Sequence, residues 1–148
     1  MGFARNLAKV PNSPAFSAVP SGTQSIGVAT ATKLTFATEE FDTNSNYDNT
    51  TNYRFQPTVA GYYQVNLGIQ LQSGQTVLIG YIYKNGSNFK SASRDSATAN
   101  QTTLTTSALV YLNGSTDYIE AFIYTSASAT VTNATQWNFF QAHLARAA

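Results

Sequence analysis

Between Tyr63 and Leu71 every second residue is apolar: Tyr63, Val65, Leu67, Ile69 and Leu71. The residues between them are Gln64, Asn66, Gly68 and Gln70, and Gln72 follows. Side chains on a strand alternate faces, so this stretch reads as a strand with one wall in a core and an amide-lined wall opposite. On a helix the same five apolar residues would be scattered round the circumference. Gln64, Asn66 and Gln70 are uncharged and can both donate and accept, so their wall suits a subunit contact as well as it suits water.

The pattern extends along the chain. Residues 15–18, 26–37 and 53–57 read as strands, as does 76–84, where Val77, Ile79, Tyr81 and Tyr83 oppose Leu78 and Ile82. Asn85-Gly86 then marks a tight hairpin, because both positions favour the left-handed backbone such a turn needs. Residues 89–92 form its return, and 102–112, a second Asn-Gly turn at Asn113-Gly114, and 117–124 repeat the arrangement. The polar run 41–51 reads as a loop, 125–135 as strand or loop, and 137–144 as a closing strand. These readings predict an all-β sandwich or jelly roll of about eight to ten short antiparallel strands. Residues 1–14 stand apart: Phe3, Leu7 and Val10 would line one face of a short helix ended by Pro11 and Pro14. That stripe is read as a docking peptide for a larger partner, the other reading being a frayed terminus. The expected division is a docking segment, 1–14, and one domain, 15–148.

Composition narrows the function. Of 148 residues only 10% are charged and the formal net charge is +1, so no strong field recruits nucleic acid or an anionic membrane. No apolar run approaches the length of a membrane span, and the N-terminus lacks the apolar core of a signal peptide. There is no Cys, hence no thiolate metal site and no disulfide. The single histidine, His143, leaves a nucleophilic triad without an alternative base. Glu39, Glu40, Asp42 and Asp48 are close in sequence but lack the spacing of a calcium loop. No phosphate-binding glycine loop is present, so no cofactor, metal or catalytic residue is expected. Tyr47, Asn49 and Tyr53, in and beside the polar loop, are the candidates for glycan recognition: a phenol ring can stack on a sugar and an amide can fix its hydroxyls.

Several residues together resemble the C1q/tumour-necrosis-factor-like family of jelly rolls. They are Ala15-Phe16-Ser17-Ala18, Phe41-Asp42, Tyr47-Asp48, then Phe55, Pro57 and Gly61-Tyr62-Tyr63. Tyr83-Lys84-Asn85-Gly86, Leu112-Asn113-Gly114 and Asn138-Phe139-Phe140 complete the match, while Ala142 and His143 stand where the family's closing motif has a glycine and an aromatic. The resemblance implies a homotrimer about a threefold axis. Alternation places Phe122 and Tyr124 opposite the core-facing Ile119, Ala121 and Ile123, and separates Phe139, Gln141 and His143 from Phe140, Ala142 and Leu144. Aromatics left on an outer face need cover, which two sister copies, or a loop of the same protomer, would supply. The expected contact set is therefore Gln64, Asn66, Gln70, Phe122, Tyr124, Phe139, Gln141 and His143. The resulting expectation is a non-enzymatic knob on a virus particle, a phage fibre tip or head-decoration subunit, attached to other virion proteins through its N-terminus and reading a cell-surface glycan. The alternative is a secreted C1q-like lectin or ligand.

Overall fold

The computed structural model describes residues 13–72, 77–95 and 101–148, with side chains given at all of these except 94 and 95. The docking stripe of Phe3, Leu7 and Val10 lies outside the described residues. Two antiparallel sheets pack face to face. The first holds β1 (Ala15–Val19), β2 (Gln24–Ile26), β4 (Thr38–Asp42), β7 (Ala60–Gln72), β10 (Gln101–Asn113), β12 (Ala129–Val131) and β13 (Phe139–Ala147). Its order is β2-β12-β7-β13-β1-β4, with β10 on the other edge of β7. The second holds β3 (Thr32–Lys33), β5 (Tyr47–Asp48), β6 (Arg54–Phe55), β8 (Val77–Lys84), β9 (Ser87–Asp95) and β11 (Ile119–Thr125). Its order is β5-β6-β11-β8-β9, and β3 pairs with β11 beyond β6.

The alternating stretch is the axis of the first sheet. Tyr63, Val65, Leu67, Ile69 and Leu71 are all buried and face the second sheet, from which Leu78, Ile82, Ile119, Ala121 and Ile123 project to meet them. At one end the core is aromatic. Phe16 stacks on Tyr47 and Phe55 at centroid distances of 4.6 and 4.5 Å, and Phe140 meets it edge-on at 5.1 Å. Gly80 lets the sheets close: a Cβ there would stand 3.0 Å from Leu104 and 3.1 Å from Ile69. The predicted hairpin at Asn85-Gly86 joins β8 to β9, with both residues at positive φ. Asn113-Gly114 is not a second hairpin: only Gly114 has positive φ, and the segment crosses from β10 in the first sheet to β11 in the second, tied by Asn113 Oδ1, which accepts from the N–H groups of Ser115, Thr116 and Asp117.

Two further readings of the chain change. Residues 26–37 are not one strand, because the chain leaves the first sheet after β2, turns through Ala29 at φ 56°, and joins the second as β3. It then returns to the first sheet as β4, and a strand cannot belong to two sheets without breaking. Leu34 and Phe36 are buried on this crossing, which explains their apolar character without a continuous ladder. The run 41–51 is likewise not all loop: it contains the end of β4 and all of β5.

Candidate functional site

The outer face of the first sheet collects part of the predicted contact set. On β7, β13 and β10, Gln64 pairs with His143 and Leu109, Asn66 with Gln141 and Ser107, and Gly68 with Phe139 and Thr105. The Phe139 ring lies over Gly68, where a Cβ would meet Cε1 at 2.4 Å. Here the missing side chain gives an aromatic a seat on the sheet, as cross-strand pairing favours. Around these residues stand side chains that the alternation argument passed over: Phe41 (51% exposed), Tyr62 (44%), Leu109 (57%) and Tyr111 (42%). Tyr62 and Tyr111 touch, with centroids 5.5 Å apart. These four are the majority of the seven large hydrophobics exposed among the described residues; Tyr62, Leu109 and Tyr111 cluster on the β7–β10 pair, and Phe41 stands across the same face on β4. Leu109 and Tyr111 could have been found by applying the same alternation to β10, and Tyr62 by carrying that of β7 one step before Gln64; Phe41, on β4, gives no such signal.

The face carries almost no charge. Strands β1, β7 and β10 have no ionised residue, and β13 adds only His143 and, near its end, Arg146. Glu40, at the edge, accepts a 2.7 Å hydrogen bond from the Ser17 hydroxyl. Shallow hollows of about 270 Å³ by Phe41, Gln141 and His143, and about 260 Å³ by Phe139 and Ser107, give the face its relief.

Three predicted contacts do not belong to this face. Gln70 is buried within its own protomer, at 6% exposure. Its Oε1 accepts from the Thr132 hydroxyl at 2.9 Å, and its backbone N–H donates to Asn138 Oδ1 at 2.6 Å. The segment from Thr132 to Asn138 covers it, so the same-protomer loop is the correct reading at this position. Phe122 and Tyr124 do face away from the core, but on β11 of the second sheet, at the opposite side of the sandwich. Alternation shows which residues share a strand face; it cannot show that two outward faces look in opposite directions.

On that second outer face, Phe122 lies opposite Tyr81, Tyr124 opposite Ile79, and Glu120 opposite Tyr83. Tyr83 and Phe122 stack at 4.1 Å, and Tyr81 meets Tyr83 edge-on at 5.8 Å. Burial raises the Tyr81 phenol above its ordinary range, and the neighbouring Tyr83 and Tyr124 phenols add to the rise. Lys33 pairs with Glu120 and sits 5.7 Å from the Phe122 centroid.

At the end of the sandwich the predicted recognition loop is reorganised. Tyr47 belongs to the core: 6% exposed, it stacks on Phe16 and donates to the Phe36 carbonyl at 3.0 Å. Burial first, then the carboxylates of Glu39 and Asp48, hold its phenol well above the ordinary value. A sugar cannot stack on it, which corrects the reading of Tyr47 as a glycan contact. Asn49 is half-buried, and Tyr53 takes φ 48° in the turn before β6. Asp48 ties this turn by accepting from the backbone N–H groups of Thr50, Thr51 and Asn52 and from the Asn52 amide. Those bonds, the Thr51 N–H foremost, hold its carboxyl well below the usual range. A cleft of about 340 Å³ opens beside it, walled by Ser45, Asn46, Tyr47, Asp48, Arg54 and Ser115 among others; of the three predicted recognition residues Tyr47 lines it, while Asn49 and Tyr53 do not. The Arg54 guanidinium lies 4.5 Å above the Tyr118 ring.

Among the described residues no group of three His, Cys, Asp or Glu is placed to hold a metal ion, and no helix is long and apolar enough to cross a membrane. His143 is exposed, paired in register with Ala15 and Gln64, and its imidazole makes no side-chain hydrogen bond among the described residues.

No family model matches the chain. No curated protein matches it significantly in sequence. Solved structures do match in shape. Murine APRIL at pH 5.0 superposes with TM-score 0.71 at 10% identity, covering 90% of this chain and 99% of that one. The Eiger TNF of S. frugiperda gives 0.70 at 11%, covering 92% and 93%. The globular domain of the zebrafish complement 1qA protein gives 0.68 at 14%, covering 93% and 100%. The two-sheet topology and these superpositions define the class: the chain has the C1q/TNF-like jelly-roll fold.

Proposed function

We propose that the protein is a non-enzymatic homotrimeric recognition knob of a virus particle, in which the outer face of the first sheet is the contact between protomers. The observation that carries the trimer is the charge-poor face bearing Phe41, Tyr62, Leu109 and Tyr111, with Arg146 beside Tyr62 and Leu109 and Lys84 over the Tyr111 ring as its nearest cations. Burying a large apolar side chain is worth roughly 1.5–3 kcal/mol. These four, each already about half-buried, offer roughly 1 kcal/mol apiece per protomer before ordering costs. Closure about an axis satisfies all three copies at once and leaves no open chain of contacts. The structural neighbours, C1q and TNF domains, support a knob of this kind.

The virion setting is supported by the low-charge, Cys-free domain and by Phe3, Leu7 and Val10 in the N-terminal segment, which would hold it to other particle proteins. The second reading, a secreted C1q-like ligand, is favoured by the shapes of APRIL, Eiger and C1q. Light scattering of the purified protein tests the assembly: a mass of three 15.9 kDa chains is expected, and a monomer at micromolar concentration refutes it. Deleting residues 1–14 is expected to leave the trimer intact and abolish its incorporation into particles. Recovery of the native protein free in the culture medium, with none in purified particles, would favour the secreted reading.

A further inference from the structure

We infer that the outer face of the second sheet, built on Tyr81, Tyr83, Phe122 and Tyr124 beside the Lys33–Glu120 pair, binds uncharged sugars. It rests on the recognition-knob reading and deepens it by naming the class of ligand the knob would take.

Three observations choose the ligand class. First, the four side chains are aromatic and already packed on one another, Tyr83 against Phe122 at 4.1 Å and Tyr81 against Tyr83 at 5.8 Å, so they form a rigid group. Such a group loses little side-chain freedom on binding, and its outward ring surfaces suit the C–H face of a sugar. Second, none of the Tyr81, Tyr83 and Tyr124 hydroxyls has a protein hydrogen-bond partner among the described residues. Each can donate and accept, which matches the hydroxyls of a sugar ring. Exposed Ser91 and Ser93 lie on the neighbouring strand β9, opposite Tyr81 and Ile79. Third, the fixed charges cancel. Lys33 pairs with Glu120, and Arg54 lies between Asp48 and Glu120 in register. Lys90, exposed on the edge strand β9, has no acid partner among the described residues, but the centre of the face presents no unmatched charge to a charged ligand, whereas a neutral one finds donors and acceptors side by side there.

The same observations argue against a protein partner. Each ring is already more than half buried, so little apolar area remains, and a stable protein interface of roughly 1,200–2,000 Å² would have to desolvate the Lys33–Glu120 pair. A sugar covers a few rings and leaves that pair at its wet rim. The face also lies on the opposite side of the sandwich from the proposed trimer contact, so assembly leaves it open.

Affinity electrophoresis of the full chain through gels carrying dextran, mannan, galactan or alginate tests the inference. Retardation by at least one of the three neutral polymers is expected, with at least a tenfold loss of affinity in Phe122→Ala. Because Phe122 supports Tyr83, the variant Tyr81→Phe/Tyr83→Phe/Tyr124→Phe is run beside it; it removes only the hydroxyls and is expected to lose threefold or more with an unchanged circular dichroism spectrum. No retardation by the neutral polymers, retardation by alginate alone, or retardation unchanged in both variants would overturn the inference. Light scattering on the same samples reports the trimer separately, so a failed sugar site and a failed assembly give different results.

Discussion

Asn138 has no exposed surface and holds the segment that covers the first sheet's far end. Its Oδ1 accepts from the Gln70 N–H at 2.6 Å. Its Nδ2 donates to the Thr132 carbonyl and hydroxyl, both at 2.9 Å, and to the Ala134 carbonyl at 3.2 Å. Asn138→Ala removes all four contacts and leaves a buried backbone donor unpaired, which costs about 1–3 kcal/mol. The lost amide donors add roughly 0.5–1.5 kcal/mol for each contact not replaced by water. The expected loss is about 3 kcal/mol, or about 6–12 °C in Tm for a domain of this size. Asn138→Asp separates the two roles. It keeps the acceptor for Gln70 but places a carboxylate against two carbonyl oxygens. Burial and those oxygens raise the introduced carboxyl's folded pKa above its unfolded value of about 3.9, so the folded state holds the proton more tightly. Its deficit relative to wild type is therefore full at neutral pH, shrinks as pH falls through the folded pKa, and reaches its floor below about 3.9. Thermal unfolding followed by circular dichroism, at equal protein concentration because assembly is linked to stability, reads both effects. A drop under about 1 kcal/mol for Asn138→Ala, or a pH-independent deficit for Asn138→Asp, would refute the reasoning.

Leu109→Asp puts a charge into the proposed protomer contact and is expected to give folded monomers by light scattering, while Phe122→Asp, on the opposite sheet, is expected to leave the trimer whole; the reverse outcome would exchange the two faces. The Thr106 hydroxyl is buried beside Gly80 without a hydrogen-bond partner. Thr106→Val keeps the shape and removes an unpaired polar group, so chemical denaturation is expected to show a gain of about 1 kcal/mol or more. Asp48 is held ionised by its turn, so its contribution to stability is present above the unfolded carboxyl pKa of about 3.9 and is lost as pH falls below it. Asp48→Asn is therefore expected to flatten the fall of Tm between about pH 5 and pH 3, and an unchanged slope would assign the acid sensitivity to other groups.

The sequence by itself determined most of the long strands, the hairpin at Asn85-Gly86 and the class of fold. Period-two burial is a local property: where Tyr63 to Leu71 alternate, one face must be dry, and Asn85-Gly86 can satisfy the left-handed turn of a hairpin. Asn113-Gly114 carries the same signal, yet the chain there crosses between sheets, because whether a turn closes a hairpin depends on where the next strand pairs. The sequence also supplied Gln64, Asn66, Phe139, Gln141 and His143 as one outward group, because β7 and β13 are neighbours and share a register. Tertiary structure decided what alternation cannot carry. Phe122 and Tyr124 point outward as read, yet from the other sheet, since facing away from a core is opposite in direction for its two walls. Tyr47 looked like a loop tyrosine and is a core residue, because β5 brings its ring onto Phe16 from a distant part of the chain. Gln70 looked like its neighbours Gln64 and Asn66, yet the turn anchored by Asn138 covers it. Each of these outcomes depends on which distant segment arrives above a residue, and that is set by the path of the whole chain rather than by the residues on either side.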